Sequence, residues 1–171
     1  EHTLSFLWVL DFPLFEKDAI TGALGAVHHP FTSPHPDDLA LLDTAPEKAR
    51  ALAYDVVLNG TELGGGSIRI ADPDVQRRMF NLFAIDDATA HQRFGGLLEG
   101  LRSGAPPHGG IAFVFDRIAM LLSGATSLRD VIAFPKTTAA RALFEGAPTH
   151  VPADDLKDLH IRLAENGDGT R

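Results

Sequence analysis

The sequence predicts an α+β fold, an antiparallel β-sheet flanked by helices, and three observations carry that prediction. Strand-like runs at residues 5–11, 51–58 and 63–70 come early, and Asn59-Gly60 forms a two-residue hairpin signal between the last two. Helical patterns over 74–83 and 87–102 follow these strands instead of alternating with them, which argues against a parallel sheet of βαβ units. A further apolar strand, 110–115, then runs directly into a helix that stops at Gly124.

Each element has a local cause. SFLWVLD, residues 5–11, is rich in β-branched and aromatic residues and stops at Phe12-Pro13, as a buried strand would. EKDAITGALGA, residues 16–26, has the polar and glycine content of a long hairpin or mobile loop, and a short strand is expected at Val27–His29. Pro30, Pro34 and Pro36 make the next segment an irregular loop, after which 37–50 reads as a short helix with its leucines inward. In the second long helix Phe94, Leu97, Leu98 and Leu101 share one stripe, and Ser103-Gly104 ends it. APPHGG is a loop. VIAF, 131–134, is expected as a last strand, with helices at 137–147 and 153–163 and a flexible tail at 165–171.

Bulk composition narrows the function. A chain of 171 residues with 44% hydrophobic content can bury roughly 70% of its unfolded surface, enough for one real core. The 15 basic and 23 acidic residues leave a net charge of −8, so any contact with a nucleic acid must be local. With no cysteine, disulfides, thiolate metal sites and cysteine nucleophiles are excluded. The short apolar run at the N-terminus lacks a basic leader, a cleavage site and the length of a bilayer span, so a cytoplasmic protein with no membrane association is expected. A start inside a strand-like run reads as a piece of something longer.

The chemistry concentrates in NGTELGGGSIRI, residues 59–70. Across a two-residue turn Val57 faces Glu62, which places Glu62 and its diagonal neighbour Asp55 on one face. At about 5 Å and an effective dielectric of about 20, two carboxylates repel by roughly 3 kcal/mol, enough to protonate one unless a cation is supplied. Oxygen ligands of this kind suit Mg²⁺ that also holds phosphate; the other reading is a solvated acidic face, and spacing leaves both open. Ser67 and Arg69 share a face by alternation, but Glu62 and Arg69 do so only if a bulge within Gly64–Gly66 repairs the parity. The three glycines then read as a side-chain-free floor for a ligand, with a carboxylate at one end and a guanidinium at the other; a loose, bulged edge strand is the alternative. Arg117, beside Asp116 in the first turn of a helix, offers its fork to a phosphate. Of His28 and His29, neighbours on an expected strand, one at most can face a cleft, as a neutral hydrogen-bond donor.

FLWVLDFP, VHHPFTSP, AYDVVLNGTELGGGSIRI, FGGLLEGLRSGAPPHGGIAF, FDRIAMLLSG and RDVIAFPKT together resemble the bacterial-type aspartyl-tRNA synthetases, class II aminoacyl-tRNA synthetases. The likeness covers nearly the whole chain and corresponds to the C-terminal part of the catalytic domain, residues 1–164. Motif 1, the motif 2 arginine, the aspartate-specificity segment with its lysine and the anticodon-binding domain have no counterpart here.

The resemblance implies a partial class II catalytic core that activates L-aspartate with ATP and transfers it to the 3′ end of tRNA(Asp), with tRNA(Asn) open, in a homodimeric parent. It implies that Asp55 and Glu62 hold Mg²⁺ and ATP, that Arg69 pairs with the side-chain carboxylate of aspartate, and that His28 contacts the amino acid from a loop that closes over it. By the same likeness Ser67, Gly65 and Gly66 line the adenylate pocket, while Val114, Phe115, Asp116 and Arg117 form the ATP-binding motif 3, with Arg117 and Glu62 acting in catalysis. Val114 stands where the family has glycine, placing an isopropyl group beside the nucleotide. Two further readings are a non-catalytic paralogue or fragment that binds nucleotide, amino acid or a partner, and an asparaginyl or lysyl relative.

Overall fold

In the computed structural model, which describes residues 3–164, the chain opens on β1 (Phe6–Val9), followed by the small hairpin of β2 (Phe15–Lys17) and β3 (Leu24–Ala26). The expected strand at Val27–His29 is absent. His29 instead begins a turn, because its ring Nδ1 accepts the Phe31 amide at 3.1 Å and its carbonyl accepts that of Thr32 at 3.1 Å.

The helix expected over 37–50 is broken into a 3-10 turn at Pro36–Asp38, the single turn α1 (Leu41–Thr44) and a 3-10 turn at Pro46–Lys48. Pro46 is the cause: it forces Ala45 to φ −156°, ψ 63° and cannot donate to the preceding turn. Leu42 is nevertheless buried, as expected. The loop is pinned by Arg50, whose Nε and Nη2 donate to the two Asp38 oxygens at 2.8 and 3.1 Å, and whose backbone amide donates to Oδ2 at 2.9 Å. These donors hold Asp38 at a pKa of about 2.

The hairpin of β4 (Ala53–Leu58) and β5 (Thr61–Ile68) forms as expected, with Leu58 opposite Thr61 and Val57 opposite Glu62. Asn59 and Gly60 turn with φ of 49° and 79°, the two left-handed residues that a type I′ turn requires. Asn59 also fixes the neighbouring strand: its Oδ1 accepts from Ser5 N at 2.9 Å and its Nδ2 donates to Thr3 O at 3.2 Å.

Two helices follow, α2 (Pro73–Leu82) and α3 (Asp87–Arg102), within one residue of expectation and each capped by an aspartate, Asp72 and Asp86. The single stripe expected on α3 is interrupted by a kink at Phe94, whose ring stacks on Phe80 at 5.2 Å; Leu101 is buried while Leu97 is exposed. Strand β6 (Gly109–Phe113) leads through Val114 alone into α4 (Phe115–Ser123).

The chain divides into two compact units after Ile118. In the first, an antiparallel sheet has the order β1-β4-β5-β6, and Leu14, Phe15, Leu42, Ala51, Ile70 and Met79 lie in its buried core. The buried strand expected at 5–11 is a four-residue edge strand, with Phe6 and Trp8 61% and 57% exposed, because no strand among the described residues covers its outer side.

In the second unit a 3-10 turn at Leu128–Asp130 precedes VIAF, which is not a strand, since no neighbouring strand pairs with it among the described residues. The helix expected at 137–147 is replaced by turns: Thr137 Oγ1 takes the Arg141 amide at 3.1 Å, and Ala140 and Gly146 have φ of 57° and 69°. Helix α5 (Ala153–Asp158) ends earlier than the expected 163, where His160 takes φ 54°. The tail expected at 165–171 lies outside the described residues. No helix among the described residues is long and apolar enough to cross a membrane.

Candidate active site

The parity problem set by Glu62 and Arg69 is solved by a bulge, but at Leu63 and not within the glycines. Val57 pairs with Glu62 and Val56 with Gly64, leaving Leu63 as the extra residue. From there the alternation places Gly65, Ser67 and Arg69 on the face that carries Asp55 and Glu62.

The glycines have two jobs. Strand β5 lies between β4 and β6 and so is not an edge. A Cβ on Gly64 would stand 2.5 Å from the Ala112 carbonyl oxygen, and one on Gly66 would collide with the Gly110 carbonyl and lie 2.8 Å from the Tyr54 ring. Those two residues let the strands close up. Gly65 alone has its missing side chain on the Asp55 side, where a Cβ would overlap the Asp55 carboxylate. The expected bare floor is therefore chiefly Gly65, with the backbone of Gly66 beside it.

On this floor sits a cleft of about 490 Å³. Asp55 and Glu62 line one end, Ser67 and Arg69 the other, and His28, His29, Ala112 and Val114 complete the wall. Partial burial raises the Asp55 pKa, the Glu62 charge adds to the rise, and His28 opposes it. The two carboxylates thus act on each other, as the hairpin register required. Among the described residues no group of three or more His, Asp or Glu could hold a metal ion. Two neighbouring carboxylates, of which only Glu62 meets a cationic side chain, fit a divalent cation that draws its remaining oxygens from water and phosphate.

Arg117 reaches the acidic end, its Nη1 donating to the Glu62 carbonyl at 2.6 Å and to Oε2 at 3.4 Å. The fork expected to be open is thus half committed; among the described residues only Nη1 has a partner. Val114 lines the cleft, but Phe115 and Asp116 do not: Phe115 is 76% exposed at the first helical position.

At the basic end Arg69 Nη1 donates to Ser67 Oγ at 2.7 Å, and no carboxylate among the described residues lies within ion-pair distance of its guanidinium. His28 stacks edge-on against Phe12 at 4.9 Å. Both histidines face the cleft, against the expectation that one at most could, because the turn at His29 removes strand alternation. His29 is the residue that sequence reasoning missed. Its Nε2 lies 3.3 Å from Ser67 Oγ, and burial, then Arg69, then His28 lower its pKa. Pro30 was the available signal, since a proline directly after His29 marks a turn as readily as a strand end.

Comparison with known proteins bears on the family and the fold. Residues 1–138 match the family model described as tRNA synthetases class II (D, K and N). The aspartate–tRNA(Asp/Asn) ligase of Nitratidesulfovibrio vulgaris is 56% identical over 165 residues, covering 96% of this chain and 27% of the relative. That of Thermosynechococcus vestitus is 55% identical over 159 residues, 93% of this chain and 26% of the relative. The chain thus spans about a quarter of the length of these relatives. Among solved structures, aspartyl tRNA synthetase from Entamoeba histolytica superposes with a TM-score of 0.57 at 26% identity, over 78% of this chain and 23% of that one. Asparaginyl-tRNA synthetase from Pyrococcus horikoshii, at 21% identity and TM-score 0.58 over 78% of this chain and 27% of that one, shares the fold. With an antiparallel sheet, flanking helices and a family match over most of its residues, the chain belongs to the class II tRNA synthetases of the D, K and N group.

Proposed function

We propose that this chain forms the C-terminal part, residues 1–164, of the catalytic domain of an aspartate–tRNA ligase, carrying its aspartate pocket and one side of its ATP site. The observation that carries this is the charge separation in the cleft: two carboxylates at one end and, across Gly65, a guanidinium without a carboxylate partner at the other. A ligand with an anionic side chain and a metal-bound phosphate satisfies both ends at once, and L-aspartate with ATP is such a pair.

In this reading Arg69 takes the side-chain carboxylate of aspartate, with Ser67 and His28 beside it, while Gly65 and Gly66 give the adenylate a surface without side chains. Asp55 and Glu62 hold Mg²⁺, which when bound neutralises the triphosphate. Arg117 keeps Glu62 in place and meets ATP with the rest of its fork, and Val114 flanks the nucleotide. The aspartate α-carboxylate attacks the α-phosphorus of ATP and pyrophosphate leaves; a hydroxyl at the 3′ end of tRNA then attacks the carbonyl of the aspartyl-adenylate, and AMP leaves. Positioning and charge carry such chemistry, so a protein nucleophile is not needed.

The relatives' names support tRNA(Asp) as acceptor and tRNA(Asn) as a second one. The parent protein is read as a homodimer working in the cytoplasm. Aspartate-dependent exchange of pyrophosphate into ATP by the complete gene product tests the proposal. Exchange is expected with aspartate above asparagine and lysine; preference for either of the latter overturns it.

A further inference from the structure

We propose that His29 is a positioning residue that makes Ser67 and Arg69 a wall of hydrogen-bond donors, and that this wall selects a carboxylate over the corresponding amide. The inference rests on the aspartate reading above and names how that pocket discriminates.

The ring of His29 is fixed by the turn it starts. Its Nδ1 accepts the Phe31 amide N–H at 3.1 Å, and a proton on Nδ1 would point at that N–H. The neutral tautomer therefore carries its proton on Nε2. Partial burial and then the adjacent Arg69 lower the pKa, which keeps the ring neutral.

Two hydroxyls surround the ring. Thr32 Oγ1 lies 3.3 Å from Nδ1 and 3.4 Å from Nε2, while Ser67 Oγ lies 3.3 Å from Nε2. Arg69 Nη1 lies 3.4 Å from Nδ1 and donates to Ser67 Oγ at 2.7 Å.

Ser67 is 1% exposed, so the orientation of its hydroxyl is set by the protein. A hydroxyl oxygen has two acceptor positions and one hydrogen. The Arg69 Nη1–H takes one position and the His29 Nε2–H the other. What Ser67 has left is its own O–H, which has no acceptor among the described residues. Both groups at this end of the cleft can then only donate.

A carboxylate accepts in every direction and meets such a wall without conflict. The amide of asparagine turns an NH₂ toward at least one donor and leaves it unpaired in a partly buried site, the kind of mismatch that discriminates strongly. Without His29, the second acceptor position on Ser67 opens and its hydroxyl can accept the amide N–H.

The test compares exchange rates with L-aspartate and L-asparagine in the complete gene product, for the unsubstituted protein, His29→Ala, His29→Gln and His29→Phe. His29→Ala is expected to lower the aspartate-over-asparagine ratio of kcat/KM roughly tenfold through the amino-acid KM, leaving the KM for ATP in place. His29→Gln, which keeps a side-chain N–H, is expected to return the ratio to within about threefold of the unsubstituted value. His29→Phe keeps a ring against Phe31 but no nitrogen, and should match His29→Ala, so the test survives if the alanine variant fails to fold. An unchanged ratio in a folded variant lacking both nitrogens, or an equal loss in His29→Gln, overturns this proposal alone. No aspartate-dependent exchange by the unsubstituted protein overturns the functional reading, and this one with it.

Discussion

Two places in the first unit set aspartate and arginine in opposite circumstances. In the loop before β4, Asp38 and Arg50 meet side by side, and the Arg50 hydrogen bonds lower Asp38 to about 2. In the cleft, Asp55 is raised by burial and by Glu62, while Arg69 has no carboxylate partner among the described residues. The same two side-chain types are complete in one place and incomplete in the other. A charge pair that satisfies itself fastens a loop; charges held apart along one cleft are disposed to bind a ligand.

The hardest way to break this contrast is to remove the unpaired guanidinium. Arg69→Ala should cost about 3 kcal/mol in aspartate use, roughly a hundredfold in kcat/KM, because the substrate carboxylate then enters a cleft without its counter-ion. Steady-state exchange kinetics measure it, and a loss under threefold would remove Arg69 from the pocket. The equivalent change in the loop, Arg50→Ala, should lower Tm while leaving the aspartate KM where it was.

The carboxylates sharpen the contrast by sign. Asp55→Asn should weaken Mg²⁺-dependent ATP binding by at least about tenfold, and yet at neutral pH leave the fold as stable as before or more so, since it removes a repelled charge. Asp38→Asn should do the reverse, lowering Tm with ATP binding intact. Calorimetric melts with and without Mg²⁺ and ATP distinguish the two; destabilisation by both would show that Asp55 is a structural residue after all.

Acid denaturation should separate them by pH. Asp38 has a folded pKa below its ordinary 3.8, so its contribution is complete above 3.8 and is lost as pH falls through about 2. Asp55 has a folded pKa above 3.8, so its penalty is absent in acid and complete only once pH exceeds the raised value. The stability of Asp55→Asn relative to the unsubstituted protein should therefore grow as pH rises through that range.

The same contrast explains what the sequence disclosed. The hairpin was legible because Asn59-Gly60 sets the register within two residues, and Asp55 with Glu62 followed from it. The sequence points to the glycines for the bulge since they are the permissive residues, whereas Gly64 and Gly66 are demanded by the carbonyls of β6, a strand more than forty positions away. His29 was missed for a related reason: whether a histidine before Pro30 extends a strand or starts a turn depends on where its ring finds a donor, and that donor is Phe31. Beyond residue 118, VIAF and 137–147 have the right composition for a strand and a helix but lack, among the described residues, a neighbouring strand in one case and a compatible backbone in the other.

Val114 gives the smallest test and the one that concerns shape instead of charge. It is the single residue between β6 and α4, it lines the cleft, and its amide is held by the Leu63 carbonyl at 2.8 Å, so its backbone is anchored at the bulge. If the isopropyl group occupies space that adenine needs, Val114→Gly should tighten ATP binding by about threefold, a gain limited by the backbone freedom that glycine adds. Titration calorimetry with ATP and Mg²⁺ reads the effect directly. Unchanged affinity would mean that the nucleotide lies clear of Val114, and that the acidic pair and Arg117 alone define its side of the cleft.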